Sequence, residues 1–260
     1  MRFNRKYLRG LYKYLRKRFS YFIADLKNRF IHQTVKDPHR LIWVNPADIR
    51  LRLLTGLQTD LNIFEKVKED TLPLYDLSLG AFDPRRNTGR VIGGDWDQHV
   101  KPYAGEILYE SYNQRFNEGA AWEETPYFKK GAEILRNGGV LYGCRSLDEF
   151  KNNRLAYIEG LYNDIKINGY NTQNKTASKD DRSKGIHHEI SVNIGRNGEI
   201  IYNNATGNNR LALSKTLKLA KVPVLVVARH KQWELLKKRV KNDGLADDSL
   251  KSQLLNHPDF

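Results

Sequence analysis

The run Asn203-Asn204-Ala205-Thr206-Gly207-Asn208-Asn209-Arg210 leads into an apolar-periodic stretch, Leu211 to Leu219, and then into the β-branched strand Val222 to Val227. A glycine lets an anion approach the backbone, a helix start offers unpaired amides with partial positive charge, and a guanidinium forms paired bonds to phosphate oxygens. Gly207, Asn208, Asn209 and Arg210 are therefore a candidate phosphate cradle; the competing reading is a helix cap followed by a solvated charge. Phosphoryl transfer also needs a base for the acceptor hydroxyl and usually a divalent ion, here Mg2+, on oxygen ligands. Asp95 and Asp97, in Gly93-Gly94-Asp95-Trp96-Asp97, are candidates for both roles, because carboxylates two apart share one face of an extended segment. The alternative is a capped turn around a packed tryptophan. Arg229, a candidate nucleotide contact, and His230, a candidate catalytic residue, close the Val222 strand, and functional side chains in layered α/β folds gather at strand ends. His230 capping the next helix, with Trp233 on the core, is the structural alternative. His187-His188 has no obvious third ligand, and neighbours on a strand point to opposite faces, which argues against zinc. The chain has no Gly-x-Ser-x-Gly elbow and no P-loop lysine motif, which removes serine hydrolases and Walker-type ATPases.

These groups need elements to hold them. Leu41-Ile42-Trp43-Val44 followed by Asn45-Pro46 predicts a short buried strand stopped by a turn. Ser146-Leu147-Asp148-Glu149 has the form of a capping box, and Leu147, Phe150, Leu155, Ile158, Leu161 and Ile165 continue a helical stripe that Gly169 stops. Trp122-Glu123-Glu124-Thr125 reads as a helix end. Residues 171–185 lack apolar periodicity and read as a surface loop. Ile190, Val192 and Ile194 alternate with polar residues, and Asn197-Gly198 supplies positive backbone dihedrals for a tight hairpin into Glu199-Ile200-Ile201-Tyr202.

The chain has 260 residues, 44 basic and 30 acidic, for a net charge of +14. Residues 1–40 hold twelve Lys and Arg against Asp25 and Asp37, so +10 of that charge belongs to one arm. In the arm, Phe3, Tyr7, Leu11, Leu15, Phe19, Phe22, Leu26 and Phe30 recur three or four apart, predicting a basic amphipathic helix of about seven turns, broken near Ser20. Such a helix suits an anionic membrane surface, a nucleic-acid backbone or the protein's own core. The longest apolar run, Val222 to Ala228, is far short of the roughly 20 residues that cross a bilayer. The single cysteine, Cys144, excludes an intrachain disulfide and fits a reducing compartment, so a cytoplasmic protein, peripheral at the inner membrane face, is expected.

Leu155 to Gln173, with Leu161, Ile165, Gly169 and Gln173 at their spacing, resembles the helix, glycine and glutamine box of ParB-like domains. Gly207-Asn208-Asn209-Arg210-Leu211-Ala212-Leu213-Ser214-Lys215 followed by Val222-Pro223-Val224 resembles the second box of that superfamily, a Gly-x-x-Arg loop, helix and Val-Pro-Val-type strand. Leu41 to Ile49 is similar to its opening strand and Pro-x-x-Ile turn. The resemblance, to the ParB/sulfiredoxin fold, covers about 41–49 and 150–230. It implies an α/β (α+β) architecture with a small mixed sheet and flanking helices, beside the N-terminal arm. The implied organisation is arm 1–40, ParB-like domain 41–230 with an insertion at about 50–149, and helical tail 231–260. By the same resemblance, Gly207 and Arg210 contact nucleotide phosphates with Asn208 and Asn209 beside them, Gln173 belongs to the nucleotide site, and Glu189 faces the loop. Asn208-Asn209 replaces the Glu-Arg pair of partition proteins and the reactive cysteine and histidine of sulfiredoxins, which argues against both of those roles. The expectation is a kinase-like phosphotransferase passing phosphate from ATP or another nucleotide to a small-molecule or lipid-linked hydroxyl. The alternatives are a nucleotide-gated DNA-binding protein and a nuclease.

Overall fold

The computed structural model describes residues 34–54, 83–176, 185–242 and 248–260, together with Leu15, Phe19, Phe22, Ile23, Leu26, Lys27 and Phe30. Most of the predicted arm helix, the break near Ser20 and residues 177–184 of the predicted loop lie outside them. The strands are β1 (Leu41–Val44), β2 (Leu51–Leu53), β3 (Arg90–Ile92), β4 (Val100–Pro102), β5 (Ile190–Ile194), β6 (Ile200–Tyr202) and β7 (Val222–His230). Among the described residues they form one mixed sheet in the order β1-β7-β5-β6-β2-β4, with β3 beside the far end of β7. β7 runs antiparallel to β1 and parallel to β5 and β3, while β5 and β6 form an antiparallel hairpin and β2 lies parallel to β6. The protein is thus mixed α/β. Three of the strands come from the stretch expected to be an insertion, so residues 50–102 complete the central sheet.

Alternation decides the faces of the sheet. Ile42, Val44, Ile190, Val192, Ile194, Ile200, Tyr202, Val222, Val224 and Val226 share one buried face with Leu211, Trp233 and Val240. Leu53, Trp96, Ile201 and Ala228 cluster on the other. Between Val192 and Asn193 the pairing slips, so that Val192 faces Val226 but Asn193 faces Ala228, leaving Val227 as an extra residue in β7. A bulge of this kind re-aims every later side chain. Arg229 therefore joins the face of Val226, and His230 joins that of Ala228.

The helices are α1 (Pro84–Asn87), α2 (Ile107–Asn117), α3 (Pro126–Arg136), α4, α5 (Gln173–Thr176), α6 (Asn208–Thr216), α7 (Lys231–Lys241) and α8 (Asp248–Leu255). α4 is continuous through Leu147–Glu149, a π-helical section Phe150–Leu155, and Ala156–Asn168. It starts and stops as its sequence predicts: the Ser146 hydroxyl accepts from the Glu149 amide at 3.1 Å, and Gly169 stands at φ +71°. Glu149 reaches back to the amide of Arg145, one residue before the expected capping-box position. Trp122–Glu124 proves to be a helix beginning: a short 3-10 turn leads to Thr125, whose hydroxyl caps α3. In the β5–β6 hairpin only Gly198 has a positive φ, +91°, so the turn is a three-residue loop closed by a left-handed glycine rather than a two-residue turn with both residues left-handed.

Candidate functional site

The expected phosphate, acid-base and metal residues fall into three separate places. The first is the start of α6. After β6 the chain turns through Asn203–Thr206, where the Ser191 hydroxyl accepts from the Thr206 amide at 3.1 Å. Gly207 then caps α6 at φ +85°, and a Cβ there would lie 2.5 Å from the Ile190 Cα. Glycine is thus required by both the left-handed turn and the close crossing over β5. The cap offers no side-chain acceptor, and among the described residues the backbone amides of Asn208, Asn209 and Arg210 have no partner. An uncapped N-terminus of this kind attracts anions.

Arg210 donates from one Nη to the His188 carbonyl, while its Nε and other Nη have no partner among the described residues and are not sealed from solvent. Glu189, the next residue after that carbonyl, is completely buried. Its carboxylate accepts from the Gln173 amide at 2.5 Å and from the Tyr170 hydroxyl at 3.1 Å. Burial pushes the Glu189 pKa above the ordinary glutamate value, and the Gln173 amide, the Arg210 charge and the Tyr170 hydroxyl recover only part of that shift. Burial also holds the half-buried Tyr170 phenol in its neutral form. Gly207, Arg210, Gln173 and Glu189 therefore do meet, with Tyr170 as a member that their sequence pattern did not single out.

Arg154 was missed as well. It lies in the π-helical part of α4, a geometry found disproportionately at functional positions. Its guanidinium stacks 3.7 Å from the Tyr142 ring, donates to the Tyr127 hydroxyl at 2.9 Å and reaches Asn209 Oδ1 at 3.0 Å. Tyr112 donates to the same oxygen at 2.7 Å. Burial lowers the Arg154 pKa, but the phenol oxygens of Tyr127, Tyr112 and Tyr142 more than offset this, so it stays charged. Its remaining Nη has no described partner and is open to solvent. The Asn209 Oδ1 thus accepts from both groups and holds a second cation beside the helix start; the Asn208 Oδ1 is buried without a partner among the described residues.

The second place is the β5–β6 turn, at the opposite end of β5 and roughly 15 Å away at the usual rise per residue. There the Arg196 guanidinium contacts Asp97 Oδ1 at 2.7 Å and Oδ2 at 3.0 Å, Asp95 Oδ1 at 2.8 Å and the Gly94 carbonyl at 3.2 Å. Burial raises the Asp97 pKa, yet the hydrogen bonds from the Arg196 side chain and amide outweigh it and hold the group ionised. These carboxylates do not fit a Mg2+ site: a cation already lies between them, and a metal ion would have to displace it. Trp96 is packed on the sheet, as the structural alternative expected. His230 belongs here too, donating from Nε2 to the Gly94 carbonyl at 2.8 Å and accepting at Nδ1 from the Gln232 amide at 3.1 Å. It is the N-cap of α7, not a base for the Gly207 loop.

The third place is Arg229, turned to the opposite face by the β7 bulge. It pairs with Asp259 at 2.5 to 3.0 Å, and Asp259 also accepts from Trp233 Nε1 at 2.9 Å and Lys237 at 3.0 Å. Arg229 thus locks the C-terminal segment to the sheet and is not a nucleotide contact.

Lys215, on α6 beyond Arg210, is partly buried, 5.0 Å from the Tyr103 ring, and burial lowers its pKa from 10.5 to about 8. Between those values the unfolded chain binds more protons than the folded one, so this group makes stability rise with pH from about 8 to 10.5. Lys215→Met should therefore raise stability at pH 7 by about 1–2 kcal/mol, after discounting for partial exposure, and flatten the alkaline rise. Urea titrations at pH 7 and pH 10 measure both effects.

Fold and site together define a mixed α/β protein with two arginines and a buried carboxylate of raised pKa around one uncapped helix start. No protein-family model, curated protein or solved structure matches the chain.

Proposed function

We propose that the protein is a nucleotide-binding phosphotransferase of ParB/sulfiredoxin-like architecture whose active site is the start of α6. The observation that carries this reading is the convergence there of Glu189, a buried carboxylate whose basicity burial raises, with Tyr170 and the uncommitted nitrogens of Arg210. The amides of Asn208, Asn209 and Arg210 and the Arg210 guanidinium take the phosphates, and Arg154 adds a second charge on the Asn209 side.

Glu189 has no exposed atom, so the acceptor meets the half-buried Tyr170 instead. As the acceptor oxygen attacks phosphorus, its proton passes to the Tyr170 oxygen and the Tyr170 proton passes to Glu189. The bond to the nucleotide leaving oxygen breaks in the same step. Transfer in concert avoids a free phenolate, which the burial of Tyr170 disfavours. The acceptor is a small-molecule or lipid-linked hydroxyl.

The test is calorimetric titration of the protein with ATP, ADP, CTP and GTP in the presence of magnesium. One nucleotide should bind, and Arg210→Ala should weaken it about 10- to 100-fold, the range for a charge-assisted contact. If none of the four binds, or Arg210→Ala binds as tightly as the parent, the proposal fails.

A further inference from the structure

Large apolar side chains are covered in most of the described chain, but Leu15, Phe19, Phe22, Ile23, Leu26 and Phe30 are 41 to 82% exposed. All six have helical backbone. Positions 15, 19, 22, 26 and 30 are three or four apart, so at about 100° per residue they form one stripe, with Ile23 on its flank. A stripe of exposed apolar side chains of this kind points to a contact with something outside the described residues.

The stripe is attached to a fixed base. Four residues beyond Phe30, Thr34 bridges Arg90, the Val35 amide donates to the Gly89 carbonyl at 3.0 Å, and Gly89 packs directly on Pro38. The stripe is therefore tethered, within four residues of Phe30, to the segment held against β3.

The charge of the segment selects the partner. Residues 1–40 carry twelve Lys and Arg against two Asp. Two such arms facing each other would bring like charges together, which opposes self-association through the stripe. Nucleic-acid phosphates would satisfy the cations but leave Leu15, Ile23 and Leu26 in water. An anionic bilayer satisfies both, with cations at the headgroups and aliphatic and aromatic side chains in the acyl boundary. Among the described residues no helix is long and apolar enough to cross a membrane, so this contact is along the surface.

We propose that the stripe of Leu15, Phe19, Phe22, Ile23, Leu26 and Phe30 is a landing surface for anionic phospholipid bilayers, independent of what the α6 site binds. In flotation assays the full chain should rise with vesicles rich in phosphatidylglycerol and partition at least about tenfold less onto pure phosphatidylcholine. The triple variant Phe19→Ser, Phe22→Ser, Phe30→Ser keeps every cation. It should lose flotation at about 0.15 M salt while keeping the circular dichroism and thermal unfolding of the parent. The proposal is overturned if the parent does not float, if the triple variant floats equally well, if the stripe instead forms a concentration-dependent dimer that the triple variant abolishes, or if duplex DNA is bound and the vesicles are not.

Discussion

Asp259→Ala should cost about 3–5 kcal/mol of stability, the scale on which removing one partner of a buried ion pair acts. The Asp259 carboxylate is wholly buried and neutralises Arg229, whose side chain is 4% exposed, while also accepting from Trp233 and Lys237. Its loss leaves the Arg229 cation with Glu234 at 3.8 Å as its nearest described counter-charge. Arg229→Met combined with Asp259→Leu should recover most of the loss, because the cost arises from the stranded charge and not from missing volume. The parent has a matching acid signature. Burial alone would raise the Asp259 pKa, but Arg229, Lys237 and Trp233 bring it down from 3.8 to about 2. A carboxylate with a depressed folded pKa contributes stability above its unfolded pKa. About 2 kcal/mol should therefore disappear as pH falls from about 4 through 2, and urea titrations across that range should show less of this loss in the double variant.

Glu189→Gln should lower kcat by about 10²- to 10⁴-fold with nucleotide affinity changed far less, if Glu189 is the terminal proton acceptor. The sign of the pH effect separates chemistry from packing. The carboxylate must be ionised to accept a proton, so parent activity should rise with pH through a Glu189 pKa that lies above the usual glutamate value. In Glu189→Gln this acidic limb should vanish from the residual rate. Tyr170→Phe should lower kcat and lose the limb too, since Glu189 reaches the acceptor only through the Tyr170 hydroxyl. If the limb survives in Glu189→Gln, another group is the base and Glu189 only ties the Tyr170–Gln173 segment to β5.

Local signals in the sequence were legible where they belonged to one element. Ser146 and Gly169 bounded α4, Asn45-Pro46 ended β1, and alternation marked β5 as a strand. In the sequence Gly207 implies room for an anion; the structure adds a second demand, the close passage over Ile190. What sequence spacing could not convey was which side chains meet across the sheet. Asp95 and Asp97 look like free carboxylates until the hairpin turn brings Arg196, about 100 positions later, between them. Arg229 and His230, as strand neighbours, serve opposite faces, but which residue takes which face is set by the extra residue Val227, which has no sequence mark. Nothing in the sequence marks Arg154; only the π-helical turn and its contacts with Tyr127 and Tyr142 show where it points.

The parallel contact between β2 and β6 bears on how this protein can be trimmed. Leu51 and Arg52 lie beside Ile201 and Tyr202, and β4 closes the rim beyond them. A shortened chain without residues 50–102 would bare the hydrogen-bonding margin of β6, only a few residues upstream of the α6 start. Open margins of that kind invite pairing between molecules. Residues 50–102 are therefore part of what covers the β6 margin, and a shortened chain has to retain them.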